Sequence, residues 1–215
     1  MPDLDVIDHL VLAVPDLAVG IDHVEHLTGV RPAIGGCHPN WGTHNAVLAA
    51  GPHCYLEIIA ADPNHPVPSS QRPGIFTAVD WPHMIGWFAK CGDLPAAARA
   101  AASADVRLGA IQTGSRTLPD GQTLRWQLTD PTVMVMDGVF PMLIDWGSSP
   151  HPAASAPRGC QLAELRLGHP DPAAVSQLMR AVGIPVDVAR SDAPSINAVL
   201  DTPNGLVSLP QWPAT

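Results

Sequence analysis

The chain has 215 residues, 46% of them hydrophobic and 14% charged, a mix that suits one large or two small globular domains with a sizeable core. Its net charge is -9, with ten arginines, one lysine and no basic run, which argues against a nucleic-acid partner. Apolar stretches are strand-sized and broken by Asp, His or Pro, and Met1-Pro2-Asp3 lacks the charge and apolar core of a signal peptide, so no membrane partner and a soluble, cytoplasmic protein are expected.

Along the chain, an apolar strand at Ile7-Asp8-His9-Leu10-Val11-Leu12 runs into Asp16, the expected N-cap of a helix over 18–28 that ends before Gly29. Short strands follow near 31–37, 43–49 and 54–60. Prolines then crowd Asp62 to Pro73, where each removes a donor and restricts its predecessor, so the segment reads as a linker. The same order recurs with Asp93 capping a helix over 95–104 and strands near 107–112, 123–129 and 140–146. After a second proline-rich stretch, Ser148 to Pro157, it recurs again with Asp171, a helix over 173–182 and strands near 185–190, 196–201 and 206–209. The three cap aspartates are 77 and 78 residues apart, which marks an internal repeat. The expected organisation is a first βαβββ module over 4–62, a linker over 63–81, a second module over 82–147, a linker over 148–158 and a shorter third module over 159–212. One such unit cannot cover its own sheet face, so copies must pair. Cys37, Cys54, Cys91 and Cys160 form no C-x-x-C pair and fit reduced packing cysteines.

Chemistry enters with two polar residues that the strands do not need. His9 lies in the first apolar strand, and Glu57 lies forty-eight residues later inside Tyr55-Leu56-Glu57-Ile58-Ile59. An ionised glutamate is almost never buried without a partner. If the two strands lie side by side, imidazole and carboxylate converge as ligands for zinc, manganese, nickel or iron. A turn at Ala50 to His53 would set Asn45 roughly opposite Glu57 and on its face, with His44 on the other face. His38, in a glycine-flanked loop just before, is a candidate third ligand or acid/base group. In the second unit Arg116, Arg125 and Trp126 supply cationic forks and an aromatic wall; Arg125 either meets a buried carboxylate such as Asp145 or receives an anionic substrate. Trp41, Trp87 and Trp146 are further candidates for core or cavity wall.

Ile7-Asp8-His9-Leu10-Val11-Leu12-Ala13-Val14 and Tyr55-Leu56-Glu57-Ile58-Ile59 resemble the first and last strands of modules in the vicinal oxygen chelate superfamily, the glyoxalase, bleomycin-resistance and extradiol dioxygenase group. Gly35 to Ala46, Leu124 to Pro131 and Leu143-Ile144-Asp145-Trp146-Gly147 resemble its bacterial glyoxalase-like domain subfamily. The resemblance implies an α+β fold in which βαβββ modules pair into a cupped mixed sheet around one site. It also implies a divalent metal on His9, Glu57 and His38, with Glu57 and His38 catalytic and Thr43, Asn45, Arg116, Arg125, Trp126 and Asp145 contacting a small-molecule substrate. Matching units by their cap aspartates puts Gly86 and Glu164 at the position of His9, so a complete four-ligand site is not written in the chain. Two functional classes stand open. One is a metal-dependent lyase or isomerase on a small carbonyl or carboxylate compound, with an iron ring-cleaving dioxygenase as its variant. The other is a non-catalytic binding protein of the bleomycin-resistance type. A homodimer is compatible with the acidic surface and paired modules.

Overall fold

The computed structural model describes residues 4–67, 79–117 and 121–210. The first unit comprises β1 (Ile7–Ala13), α1 (Leu17–Thr28), β2 (Ala33–His38), β3 (Thr43–Ala49) and β4 (Tyr55–Ala61). The second comprises β5 (His83–Lys90), α2 (Leu94–Ala102), β6 (Gln112–Thr117), β7 (Thr123–Leu128) and β8 (Met142–Asp145). The third comprises β9 (Gln161–His169), α3 (Pro172–Ala181), β10 (Val188–Arg190), β11 (Ser195–Thr202) and β12 (Gly205–Ser208).

The three helices start where the aspartates place them. Asp16 accepts from the Val19 N–H at 3.0 Å, Asp93 from Ala96 at 2.8 Å and Asp171 from Ala174 at 3.1 Å, each satisfying an amide that the first turn leaves without a partner. Gly29, at φ +76°, closes α1 in the left-handed conformation, and its N–H reaches Glu25 O at 2.7 Å.

The first two units share one eight-stranded mixed sheet in the order β2-β3-β4-β1-β5-β8-β7-β6. Its halves join where β1 runs antiparallel to β5, while β4 and β8 flank them in parallel. The sheet curls until its two ends approach: Arg116 of β6 reaches Asn45 of β3, and Asn40 reaches the Thr113 carbonyl at 3.5 Å. Alternation along the strands sorts the side chains. Leu10, Leu12, Leu56 and Ile58 face the helices, and His9, Val11, Tyr55, Glu57 and Ile59 face the hollow of the cup.

The third unit forms a separate four-stranded sheet, β10-β9-β11-β12. Leu162, Leu165 and Leu167 of β9 join Val175, Leu178 and Met179 of α3 in the same apolar core as α1 and α2. Glu164 points away from the cup and pairs with Arg166 at 2.5 and 2.6 Å on the surface. The strand expected near 107–112 begins only at Gln112, where pairing with β7 starts against Leu128; Gly109, at φ +74°, interrupts the extended backbone before it. The residues 148–158, expected as a spacer, contain a short 3-10 turn at Pro152–Ala154, and Ala153 and Ala156 pack on Tyr55 and Val47. No helix among the described residues is long and apolar enough to cross a membrane.

Candidate functional site

The curled sheet encloses about 660 Å³, open mouth included. Its first-unit wall carries polar groups, His9, His38, Thr43, Asn45 and Glu57, all less than 10% exposed. Its second-unit wall is apolar: Ile85, Phe88, Trp126, Leu128, Met142 and Ile144. Arg116 stands at the seam where β6 meets β2 and β3.

Adjacent strand residues normally face opposite sides. Asp8 and His9 do not, because the β1–β5 register steps from Ile7↔Ala89 to His9↔Phe88, so Asp8 is an extra residue in a β-bulge. The bulge brings the Asp8 carboxylate to 2.7 Å from His9 Nδ1. Cross-strand register then sets Phe88, His9 and Tyr55 in one row, and the imidazole is stacked between Phe88 at 4.2 Å and Tyr55 at 4.5 Å. Asp8, fully buried, also receives Trp146 Nε1 at 3.1 Å and His151 Nε2 at 3.3 Å. The tautomer of His151 is set by its own cap role: Nδ1 accepts the Ala153 N–H, so Nε2 carries the hydrogen. Burial pushes the Asp8 carboxyl up, but the hydrogen bonds from His151 and His9 and the attraction of both imidazoles outweigh it, holding the group well below the ordinary carboxylate range. An ionised Asp8 can only accept, so His9 carries hydrogen on Nδ1 and turns Nε2 to the cup. That atom lies 3.6 Å from Glu57 Oε2.

The other oxygen of Glu57 is taken. Asn45 Nδ2 donates to Oε1 at 2.6 Å and lies 3.4 Å from His38 Nε2, while Asn45 Oδ1 accepts from Arg116 Nη1 at 3.3 Å. With its amide nitrogen spent on two acceptors, Asn45 makes His38 Nε2 an acceptor, so Nδ1–H donates to Thr43 Oγ1 at 3.0 Å. Both His38 nitrogens are thereby used. Burial pushes the His38 pKa down; Glu57 opposes this and Arg116 adds to it. Asn45 reaches Glu57 diagonally, since β3 pairs Asn45 with Ile59 and Val47 with Glu57, a register two residues from the expected one that keeps both on the same face.

Of the remaining candidates, Trp126 faces the cup and lies over Gly114, its cross-strand partner. Arg125, one residue earlier, is exposed on the outer face, and its backbone N–H donates to Ser149 Oγ. Asp145 is half-buried outside the cup and accepts from the Gly147 N–H at 2.8 Å. No ion pair joins Arg125 to Asp145 among the described residues. Asp8, Tyr55, Phe88 and His151 were missed from sequence. An aspartate beside a histidine in an apolar strand is the one local signal that could have pointed to Asp8.

A divalent metal fits this donor set only in part. His9 Nε2 and Glu57 Oε2 could flank an ion, with Asp8 as the carboxylate that orients a ligating imidazole. The rest of the shell is missing. His38 Nε2 is 3.9 Å from the opposite oxygen, Oε1, beside the bridging Asn45 amide, and the facing wall offers only apolar side chains. Among the described residues no group of three or more His, Cys, Asp and Glu side chains could hold a metal ion. Neither the expected set of His9, Glu57 and His38 nor an iron triad of the same residues is assembled, because Asn45 ties His38 and Glu57 into a neutral-donor network instead.

The sequence matches the family described as "Glyoxalase-like domain" over residues 7–183. No curated protein matches. Among solved structures, a hypothetical protein from Staphylococcus aureus aligns at 14% identity over 96% of this chain and 86% of its own, with a TM-score of 0.63, a likeness of fold alone. Methylmalonyl-CoA epimerase from Mycobacterium tuberculosis aligns at 19% identity over 72% of this chain and 97% of its own, with a TM-score of 0.44.

Proposed function

The chain belongs to the glyoxalase-like domain family of the vicinal oxygen chelate superfamily, and from that premise we propose that it is a proton-transferring isomerase or lyase acting on a small carbonyl or carboxylate compound. One observation carries the reading: Glu57 Oε2 and the Asp8-backed Nε2 of His9 face each other across 3.6 Å at the floor of a cup otherwise walled by apolar side chains.

These two atoms are the ones the network leaves free. Asn45 holds Glu57 by Oε1 and keeps Oε2 turned inward. Asp8 and the stacked rings of Tyr55 and Phe88 fix the plane and tautomer of His9. A carbon acid seated above the pair gives its proton to one of them as the C–H electrons move toward the neighbouring carbonyl oxygen. The same proton is handed back at the adjacent atom, directly or after crossing the 3.6 Å between the two groups, which completes an isomerisation, or the deprotonation expels a β-substituent, which makes a lyase. The apolar wall keeps water from the enolate and strengthens the charge interactions inside.

The apolar half of the cup also supports a second reading, a binding protein without chemistry. One assay separates them. Phenylpyruvate and phenylglyoxal hydrate adducts, with a panel of small 2-oxo acids and hydroxyketones, are incubated with protein in deuterium oxide, and loss of the α-proton signal is followed by NMR. Enzyme-dependent exchange that falls on the order of 100-fold or more in Glu57→Gln supports proton transfer. No exchange above buffer with any compound, or exchange indifferent to Glu57→Gln, leaves the binding protein.

A further inference from the structure

Arg116 has no part in the proton transfer above, yet it is a buried cation at the cup. Guanidinium cannot shed its proton, and here it is 6% exposed. No carboxylate lies within ion-pair distance of it among the described residues; its recorded hydrogen bond is the 3.3 Å contact to the neutral Asn45 Oδ1. Most of its five donors therefore lack an acceptor among those residues. None of its unpartnered nitrogens is sealed off, since among the described residues the buried side-chain atom without a partner is His23 Nε2. Arg116 lines the cup, so its free donors have somewhere to point.

The seat of this arginine is specifically cleared. In β2 the register steps from Ile34↔Ala46 to Gly36↔Asn45, which makes Gly35 a bulge residue. A Cβ on Gly35 would fall 2.3 Å from Arg116 Nη1 and 2.3 Å from Asn45 Oδ1. Only a bare backbone leaves room for the pair. Phe88, Trp126, Met142 and Ile144 line the same cup.

We infer that the cup's ligand is a monocarboxylate with an apolar, preferably aromatic, body: Arg116 takes the carboxylate, and the second-unit wall takes the body. This deepens the proposed function by naming its substrate class and rests on that reading for the chemistry alone. A planar guanidinium whose Nε and Nη2 have no hydrogen-bond partner among the described residues can offer that edge to a carboxylate in a bidentate pair. A neutral ligand would leave the cation uncompensated. A phosphate dianion would bring two charges to one cation in a cup that Glu57 also lines.

Calorimetric titration with 3-phenylpropanoate, 3-phenylpropanamide, acetate and phenyl phosphate tests this without relying on turnover. The expected order has 3-phenylpropanoate at least about tenfold tighter than its amide and than acetate, in line with the strength of charge-assisted bonds. Arg116→Met should erase the acid-over-amide preference while amide binding persists, which also reports an intact fold. Arg116→Lys should keep part of the preference, and Gly35→Ala should reduce it by crowding the seat. Equal binding of acid and amide, tighter binding of phenyl phosphate, no binding of the aromatic acid, or an acid preference that survives Arg116→Met would overturn the inference. Acid-selective binding in a wild type that exchanges no α-proton would uphold it and defeat the proton-transfer reading.

Discussion

Replacing Asp8 by asparagine keeps the shape of the side chain and removes its charge, and the surroundings make that change costly. The carboxylate meets donors alone: His9 Nδ1 at 2.7 Å, Trp146 Nε1 at 3.1 and 3.2 Å to its two oxygens, and His151 Nε2 at 3.3 Å. An amide must set its own NH₂ against one of them. If it faces His9, the imidazole has to move its hydrogen to Nε2 and loses its free lone pair toward the cup. If it faces His151, the conflict is with a hydrogen that the Ala153 cap holds on Nε2. Hydrogen bonds to a charged group contribute about 1.5–3 kcal/mol each, so losing one and weakening another should cost about 3 kcal/mol. For a chain of this length that is a fall in Tm of about 6–12 °C, read by calorimetry. Exchange of substrate α-protons should drop on the order of 100-fold or more, the usual scale for loss of a positioned acid or base. The acid limb supplies a second readout. The folded-state pKa of Asp8 lies below the ordinary value of 3.8, so its stabilisation is present above that value and is lost as pH falls below it. The variant should lose less stability than wild type on acidification through this range. An unchanged Tm together with unchanged exchange would refute the account of Asp8 as the group that fixes His9.

Three further outcomes are expected. His38 has a folded pKa lowered from 6.5 by burial, so its stabilisation is present above that value and fades as pH falls below it; His38→Gln should flatten the Tm profile just below pH 6.5, and an unaltered profile would count against a neutral His38 bridging Asn45 and Thr43. A Cβ on Gly114 would fall 2.2 Å from the Trp126 ring, so Gly114→Ala should cost about 1–3 kcal/mol through overpacking and shift the tryptophan emission of the cup, whereas an unchanged spectrum and Tm would remove Trp126 from that position. Protein purified without a metal-affinity tag and soaked with zinc, manganese, nickel and iron should retain less than one equivalent by elemental analysis; one tightly held equivalent, lost in both His9→Ala and Glu57→Ala, would restore the metal reading of the site.

The repeat was legible because its signals are local. An N-cap aspartate works through an amide three residues on, and hydrophobic alternation of period 2 or 3.6 needs no distant partner, so the units and their helix starts could be read along the chain. His9 and Glu57 were also legible, since a polar residue inside an apolar strand stands out without knowledge of its surroundings. The same logic misled at Arg125 and Asp145, where strand membership was visible and strand face was not: Trp126 points into the cup, so its neighbour Arg125 must point out.

What the sequence determined by itself was therefore the set of building blocks and the two polar residues they carry inward. Tertiary structure alone decided how these groups meet. The bulge that turns Asp8 beside His9 exists because β1 pairs with β5, more than seventy residues away in the chain. Arg116 reaches Asn45, also 71 residues distant, because the sheet curls far enough for its ends to meet. Among the described residues the second wall of the cup lines it with apolar side chains, while His9 and Glu57 stand on the first and Arg116 at the seam. Such relations depend on register and curvature, which are set by pairing over the whole sheet and leave no mark on any single stretch of residues.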